Sequence, residues 1–160
     1  MDRIKDYGQL AFDIDRWLKD YYYMYAIKAF VVGVSGGIDS AVVSTLCAKT
    51  ELPTYVLTMP LHSKKDNTEL SDLHAYELVK KYPNVTLVNV DLSETYETLL
   101  FNIDQDFVND KLANANTKSR LRMVTLYQIA GVKKGIVVGT GNKVEDYGVG
   151  FYTKYGDGGV

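Results

Sequence analysis

The stretch Phe30-Val31-Val32-Gly33-Val34-Ser35-Gly36-Gly37-Ile38-Asp39-Ser40 constrains this chain more than any other. Its first five residues are apolar and mostly β-branched, the pattern of a strand buried on both faces of a parallel sheet. The run breaks into a small-residue turn, and Asp39-Ser40-Ala41-Val42-Val43 then opens a helical pattern. A strand that feeds a glycine-rich turn at a helix N-terminus makes an anion site. The glycines let a phosphate approach the backbone, and free N–H groups and the helix dipole attract negative charge. The turn is not a Walker A loop, because no Lys-Ser/Thr pair follows the glycines. Nor does it spell G-x-G-x-x-G, so it carries no dinucleotide fingerprint.

The rest of the chain repeats the strand–helix alternation. Apolar runs over residues 53–59, 85–90 and 135–140 predict three more strands. Ile4, Tyr7, Ala11, Ile14 and Leu18 recur at helical steps and predict an amphipathic N-terminal helix running towards Tyr21, Tyr22, Tyr23 and Tyr25. Further helices are expected over residues 39–49 and 68–81, and from an N-cap at Asp91 or Ser93 through Leu100. The polar stretch 102–116 predicts a short helix with flexible ends. Residues 117–131 predict a helix with Leu121, Val124, Tyr127 and Ile129 facing inward. Strands alternating with helices, joined by connections too long for hairpins, give right-handed β-α-β units. The expected fold is therefore α/β: a doubly wound, Rossmann-like parallel sheet with helices on both faces, as one domain over residues 1–160.

Bulk properties narrow the function classes. A net charge of −2 offers no basic excess for neutralising a nucleic-acid backbone, so no nucleic-acid partner is expected. The single cysteine, Cys47, excludes an intramolecular disulfide and falls in an apolar helical stretch, where a buried, inert thiol is expected. No apolar run reaches membrane-spanning length and the N-terminus has no signal-peptide pattern. The expected location is cytoplasmic. Four tyrosines between positions 21 and 25 exceed what one side of a helix can bury, so they pack on the sheet or make a subunit contact. His62 sits in a loop after the second strand and His74 in the next helix, too far apart and too poor in partners for a zinc site.

A second glycine-rich stretch follows the fourth strand: Thr140-Gly141-Asn142-Lys143-Val144-Glu145-Asp146, then Gly148-Val149-Gly150-Phe151-Tyr152-Thr153-Lys154-Tyr155-Gly156-Asp157-Gly158-Gly159. Glycines interleaved with aromatics and lone charges predict a mobile loop that approaches a ligand closely. Both stretches follow the C-terminal ends of strands, where open α/β sheets bind ligands.

S-G-G-I-D-S resembles the pyrophosphate loop of the ATP pyrophosphatases. Together with G-T-G-N-K-x-E, G-F-Y-T-K-Y-G-D-G-G and the intervening K-S-R-L-R-M, it resembles ammonia-dependent NAD synthetase over about residues 3–160. The resemblance implies that Gly33, Val34, Ser35, Gly36, Gly37, Ile38, Asp39 and Ser40 hold the ATP phosphates, with Thr140 also on ATP. It implies that Asp39 and Glu145 bind Mg²⁺, which takes one or two carboxylates beside phosphate oxygens and waters. Arg120 and Lys154 would contact deamido-NAD, with Arg122 the other candidate for the arginine, and Asp157 would lie near the reacting groups. Asp39, Lys154 and Asp157 are thus the expected catalytic set.

The implied reaction adenylates a nicotinate carboxylate with ATP, releasing pyrophosphate, and ammonia then displaces AMP to give NAD. No glutaminase segment is recognisable, which makes free ammonia the expected nitrogen source, and the family's habit implies a homodimer. Members of the family continue beyond the position of Val160 with another acidic residue, an ATP-contacting Lys, a hydroxyl residue and a His-Lys pair, so a C-terminal truncation is expected. The alternatives are a related ligase that adenylates another acceptor, or a non-catalytic adenine-nucleotide-binding module.

Overall fold

The structure is a computed structural model that describes residues 4–62, 65–150 and 152–156. Four parallel strands, β1 (Phe30–Val34), β2 (Thr54–Thr58), β3 (Val85–Asn89) and β4 (Ile136–Val137), form one sheet in the order β3-β2-β1-β4. The helices are α1 (Tyr7–Met24), α2 (Ile38–Lys49), α3 (Lys65–Lys81), α4 (Ser93–Phe101) and α5 (Lys111–Lys133). The α/β fold with helices on both faces is as expected from the alternation.

Strand alternation sorts the core into two layers. Val32 and Val34, with Val56 and Val85, point to the side covered by Ala48 of α2 and by Ala75 and Leu78 of α3. Phe30 points the same way and meets Leu18 of α1 and Cys47 of α2. Val31 and Leu57 point to the other side, against Tyr96 of α4 and Leu126 and Ala130 of α5. Burial pushes the Cys47 thiol up to about 12, so it is an inert core group.

Several boundaries differ from the expectations. Ile4 lies outside α1 and Tyr7 is exposed, because Asp6 is the N-cap and accepts from Gln9 N–H at 2.9 Å. The stretch 102–116 is not one short helix. It holds a 3₁₀ turn, Gln105–Phe107, and then the start of α5, which Asp110 caps by accepting from Ala113 N–H at 2.7 Å. Along α5, Val124 and Tyr127 face outward, while Leu126 and Ala130 are buried. A three-residue step falls about 60° short of a full turn, so the series Leu121, Val124, Tyr127 drifts off the inner face, whereas the four-residue step holds it. Neither Asp91 nor Ser93 occupies the N-cap of α4. Leu92 does, and Asp91 accepts from Ser93 N–H at 2.8 Å; hydrogen bonds from the Ser93 side chain and then from this N–H lower the Asp91 carboxyl pKa.

The strand expected over residues 135–140 shortens to two residues. Val138 N–H still donates to Val31 C=O at 2.8 Å, but Gly139 and Thr140 leave the ladder. Glycine weakens a strand, and here its departure turns the chain towards the end of β1.

The tyrosine cluster divides. Tyr22 packs on Phe30 with ring centroids 5.7 Å apart, and Tyr21 stacks between Trp17 and Tyr25 at 5.6 and 4.5 Å. Tyr23, Met24, Tyr25 and Trp17 remain exposed.

Candidate active site

In chain order the sheet grows from β1 through β2 to β3 on one side, then returns to place β4 on the other side of β1. The reversal opens a crevice at the C-terminal ends of β1 and β4, the switch point at which such sheets take ligands. A cavity of about 260 Å³ lies there, lined by Ser35, Gly37, Asp39, Ser40, Thr140, Gly141, Glu145, Asp146 and Tyr152.

The loop after β1 is knotted by hydroxyls. The buried Ser40 Oγ donates to Gly37 C=O at 3.0 Å and accepts from Ser35 N–H at 3.1 Å, with Ser35 Oγ 3.2 Å away. Gly37 N–H in turn donates to Ser35 Oγ at 3.3 Å. Gly36 has φ +84°, a left-handed conformation open to glycine at little cost. The knot leaves the first turn of α2 pointing into the crevice, with Asp39 in it. In Ser40→Ala the loop loses its central acceptor and donor. We expect about 1–2 kcal/mol lower stability by urea unfolding and a weaker affinity for Mg-ATP by titration calorimetry; an unchanged affinity would show that the knot does not shape the loop.

Opposite the loop, the chain after β4 winds one π-helical turn, Val144–Val149, ended by Gly150. Asn142 joins the two sides. Its Nδ2 donates to Asp39 Oδ2 at 3.2 Å, and its Oδ1 accepts from Val144 N–H and Glu145 N–H, each at 3.0 Å. Asp146 lies against Gly141. Asn142, Asp146 and Tyr152 were not picked out from the sequence as site residues. Asn142 left one signal there, an Asn in a glycine-flanked turn just ahead of a helical segment, which is a capping position.

Among the sequence-predicted residues the cavity gathers Ser35, Gly37, Asp39, Ser40, Thr140 and Glu145. Gly33 and Val34 lie in the strand itself, Gly33 against Met59 and Leu126. Gly36 and Ile38 belong to the loop but do not line the cavity, and Ile38 is exposed. Arg120 and Lys154 are brought to each other instead: Arg120 Nε donates to Lys154 C=O at 3.1 Å, and Lys154 Nζ sits 4.9 Å over the Tyr155 ring. Arg122 turns towards the sheet, where its Nε donates to Met59 C=O at 3.1 Å and burial lowers its pKa. Asp157 lies outside the described residues.

Residues 152–156 do not form the free loop expected. Thr153 is buried and donates to Asn116 Oδ1 at 2.9 Å, and a Cβ at Gly156 would strike Ser119 of α5. The segment is docked along α5 beside Arg120.

His62 pairs with Glu97 at 3.1 Å, and His74 bonds to the buried Ser44 at 2.9 Å; neither lines the cavity. Among the described residues there is no group of three or more His, Cys, Asp or Glu side chains that could hold a metal ion. The cavity does bring the carboxylates of Asp39, Glu145 and Asp146 to one crevice, and one or two such groups fit Mg²⁺, which leaves its other positions to phosphate oxygens and water.

A parallel α/β sheet with a hydroxyl-knotted glycine loop at its switch point has the ATP pyrophosphatase-type fold. The particular family follows from comparison. The model of the NAD synthase family matches residues 10–160, and the chain belongs to that family. It is 40% identical over 159 residues to the NH(3)-dependent NAD(+) synthetase of Mycoplasmopsis pulmonis, covering 98% of this chain and 57% of the relative. It is 34% identical to the enzyme of the same name from Finegoldia magna, covering 97% and 61%. Among solved structures, the NMN synthetase of Francisella tularensis superposes with a TM-score of 0.84 at 35% identity, over 96% of this chain and 63% of that one. The NH3-dependent NAD synthetase of Campylobacter jejuni does so at 0.82 and 27%, over 95% and 63%. The chain therefore spans about three fifths of the length of these relatives.

Proposed function

We propose that the crevice between β1 and β4 is the ATP site of an ammonia-dependent NAD synthetase, a ligase that forms a carbon–nitrogen bond. One observation carries the reading: the phosphate-loop residues Ser35, Gly37, Asp39 and Ser40 share a cavity with Thr140 and Glu145 in a chain of this family. The carboxylate of deamido-NAD attacks the α-phosphorus of ATP, forming a P–O bond and breaking the α–β bridge, so pyrophosphate leaves. Ammonia then attacks the acyl carbon, the bond to AMP breaks, a nitrogen proton is released to solvent, and the amide of NAD remains.

The reaction asks the protein for position and charge, with no side-chain nucleophile. Loop N–H groups and the N-terminus of α2 receive the departing pyrophosphate. Asp39 and Glu145 would hold Mg²⁺, which would neutralise phosphate charge. Thr140 meets ATP from the opposite wall. Arg120 and Lys154, side by side at the α5 contact, supply cations for the dinucleotide's phosphates and carboxylate. The exposed aromatics of α1 and the outward Val124 and Tyr127 of α5 support a homodimer. No helix of the described residues is long and apolar enough to cross a membrane, in keeping with a cytoplasmic enzyme.

Full-length protein given Mg-ATP, deamido-NAD and ammonium is expected to yield NAD, AMP and pyrophosphate in equal amounts. ADP as the product would refute the reading. AMP formation with nicotinate mononucleotide but not with deamido-NAD would assign the activity for which the Francisella tularensis neighbour is named. ATP binding without turnover would leave a binding module.

A further inference from the structure

The two arms of the crevice reach it by independent routes. Asp39 comes on the first turn of α2, anchored in the middle of the sheet. Glu145 comes on a six-residue π-helical segment beyond an edge strand whose ladder to β1 spans two residue pairs. Asp39, Glu145 and Asp146 all line the crevice, and carboxylates there repel, so the spacing of Asp39 and Glu145 needs a fixed link.

Asn142 supplies that link. Its amide oxygen accepts from the N–H groups of Val144 and Glu145, at 3.0 Å each, and so starts the segment that carries Glu145. Its amide nitrogen donates to Asp39 Oδ2 at 3.2 Å. The orientation of the amide is set by its partners: two N–H groups require an acceptor and a carboxylate requires a donor, so the flipped amide would fail on both sides. Neither Asp nor Ser provides both functions. Asp lacks the donor, and Ser is too short to cap the segment and reach Asp39 at once.

We propose that Asn142 is a positioning residue that couples Asp39 to Glu145 and sets their spacing for the metal–nucleotide complex. The proposal rests on the Mg-ATP reading of the crevice. Partners that orient metal-ligating carboxylates typically govern metal affinity by 10–100-fold, as a rough range. Pre-orientation of this kind acts on Mg-ATP and leaves metal-free ATP untouched.

Two variants separate the functions of the side chain. Asn142→Ser keeps a capping oxygen for Val144 and Glu145 and removes the donor to Asp39. Asn142→Ala removes both. Full-length wild type and variants are titrated calorimetrically with ATP, once in MgCl₂ and once in EDTA, and amide exchange is followed at Val144 and Glu145. The expected result is a loss of about tenfold or more in Mg-ATP affinity for both variants, with affinity in EDTA unchanged. Exchange should quicken in Asn142→Ala and stay near wild type in Asn142→Ser. Wild-type Mg-ATP affinity in Asn142→Ser would overturn the coupling. Equal losses with and without Mg²⁺ would also overturn it, because they mark a general structural role. A wild type that binds ATP equally in MgCl₂ and EDTA would overturn the Mg-ATP reading itself, and the coupling with it.

Discussion

Replacing Asp39 by Asn is expected to cut the rate of AMP and pyrophosphate release at least about a hundredfold while leaving the fold intact. Asp39 is half-buried in the first turn of α2, within reach of Asn142 Nδ2. An Asn at position 39 still offers a carbonyl oxygen to that donor, so the substitution preserves shape and deletes charge. Loss of one acidic charge at a helix N-terminus costs only a few tenths of a kcal/mol, up to about 1 kcal/mol, of stability. The effect on turnover is larger, because one of two carboxylates that would hold the metal against the phosphates is gone. The measurement is single-turnover formation of AMP at saturating Mg-ATP and deamido-NAD, with urea unfolding alongside. A rate within threefold of wild type would remove Asp39 from the machinery.

Phe30→Ala is expected to cost about 3–5 kcal/mol of folding free energy. Phe30 is 1% exposed and lies where three elements meet: Leu18 and Tyr22 of α1, Cys47 of α2 and the neighbouring strand β4. Its backbone is held in the ladder by Thr54 on one side and Ile136 on the other, so the strand has little freedom to collapse into the void. Against a net stability of about 5–15 kcal/mol this is a large fraction, and it corresponds to a fall in Tm of about 10 °C. Phe30 begins β1 and Ser35 follows its end, so about 15 Å of strand separates the void from the phosphate loop. Mg-ATP affinity in the cold, where the variant remains folded, should therefore match wild type. A urea midpoint that moves by less than the equivalent of about 1 kcal/mol would show that α1 is not fastened through Phe30.

The two substitutions mark the division between what is written locally in the chain and what is not. Strand identity, the glycine-rich turn, the helix that follows it and the second glycine-rich stretch are local patterns, set by side-chain period and by backbone freedom within a few residues. The residues of S-G-G-I-D-S, with Thr140 and Glu145 of the second stretch, could be named from the sequence for that reason, and a resemblance between whole motifs gave their expected chemistry. The inner face of α5 could be read only in part: Leu121 and Ile129 pack on the core as expected, but apolar residues lie on both sides of that helix and only packing selects Leu126 and Ala130 over Val124 and Tyr127.

The sequence placed both glycine-rich stretches at the ligand-binding edge of a sheet, but not the strand pairing that sets them face to face. Sequence order says that β4 comes last; it does not say that β4 pairs with β1 on the side away from β2. That pairing brings residues about a hundred positions apart into hydrogen-bond contact, Asn142 with Asp39 at 3.2 Å. The packing of α5 turns Arg122 to the Met59 carbonyl and leaves Arg120 beside Lys154, a distinction that two charges on one helical run do not carry. The sequence by itself determined the order of strands and helices and marked the glycine-rich loop, Asp39 and Glu145 as candidates, since each depends on neighbours along the chain. Only the tertiary structure decided where the sheet reverses and that Asn142 spans the gap, because both depend on contacts between segments that the chain keeps far apart.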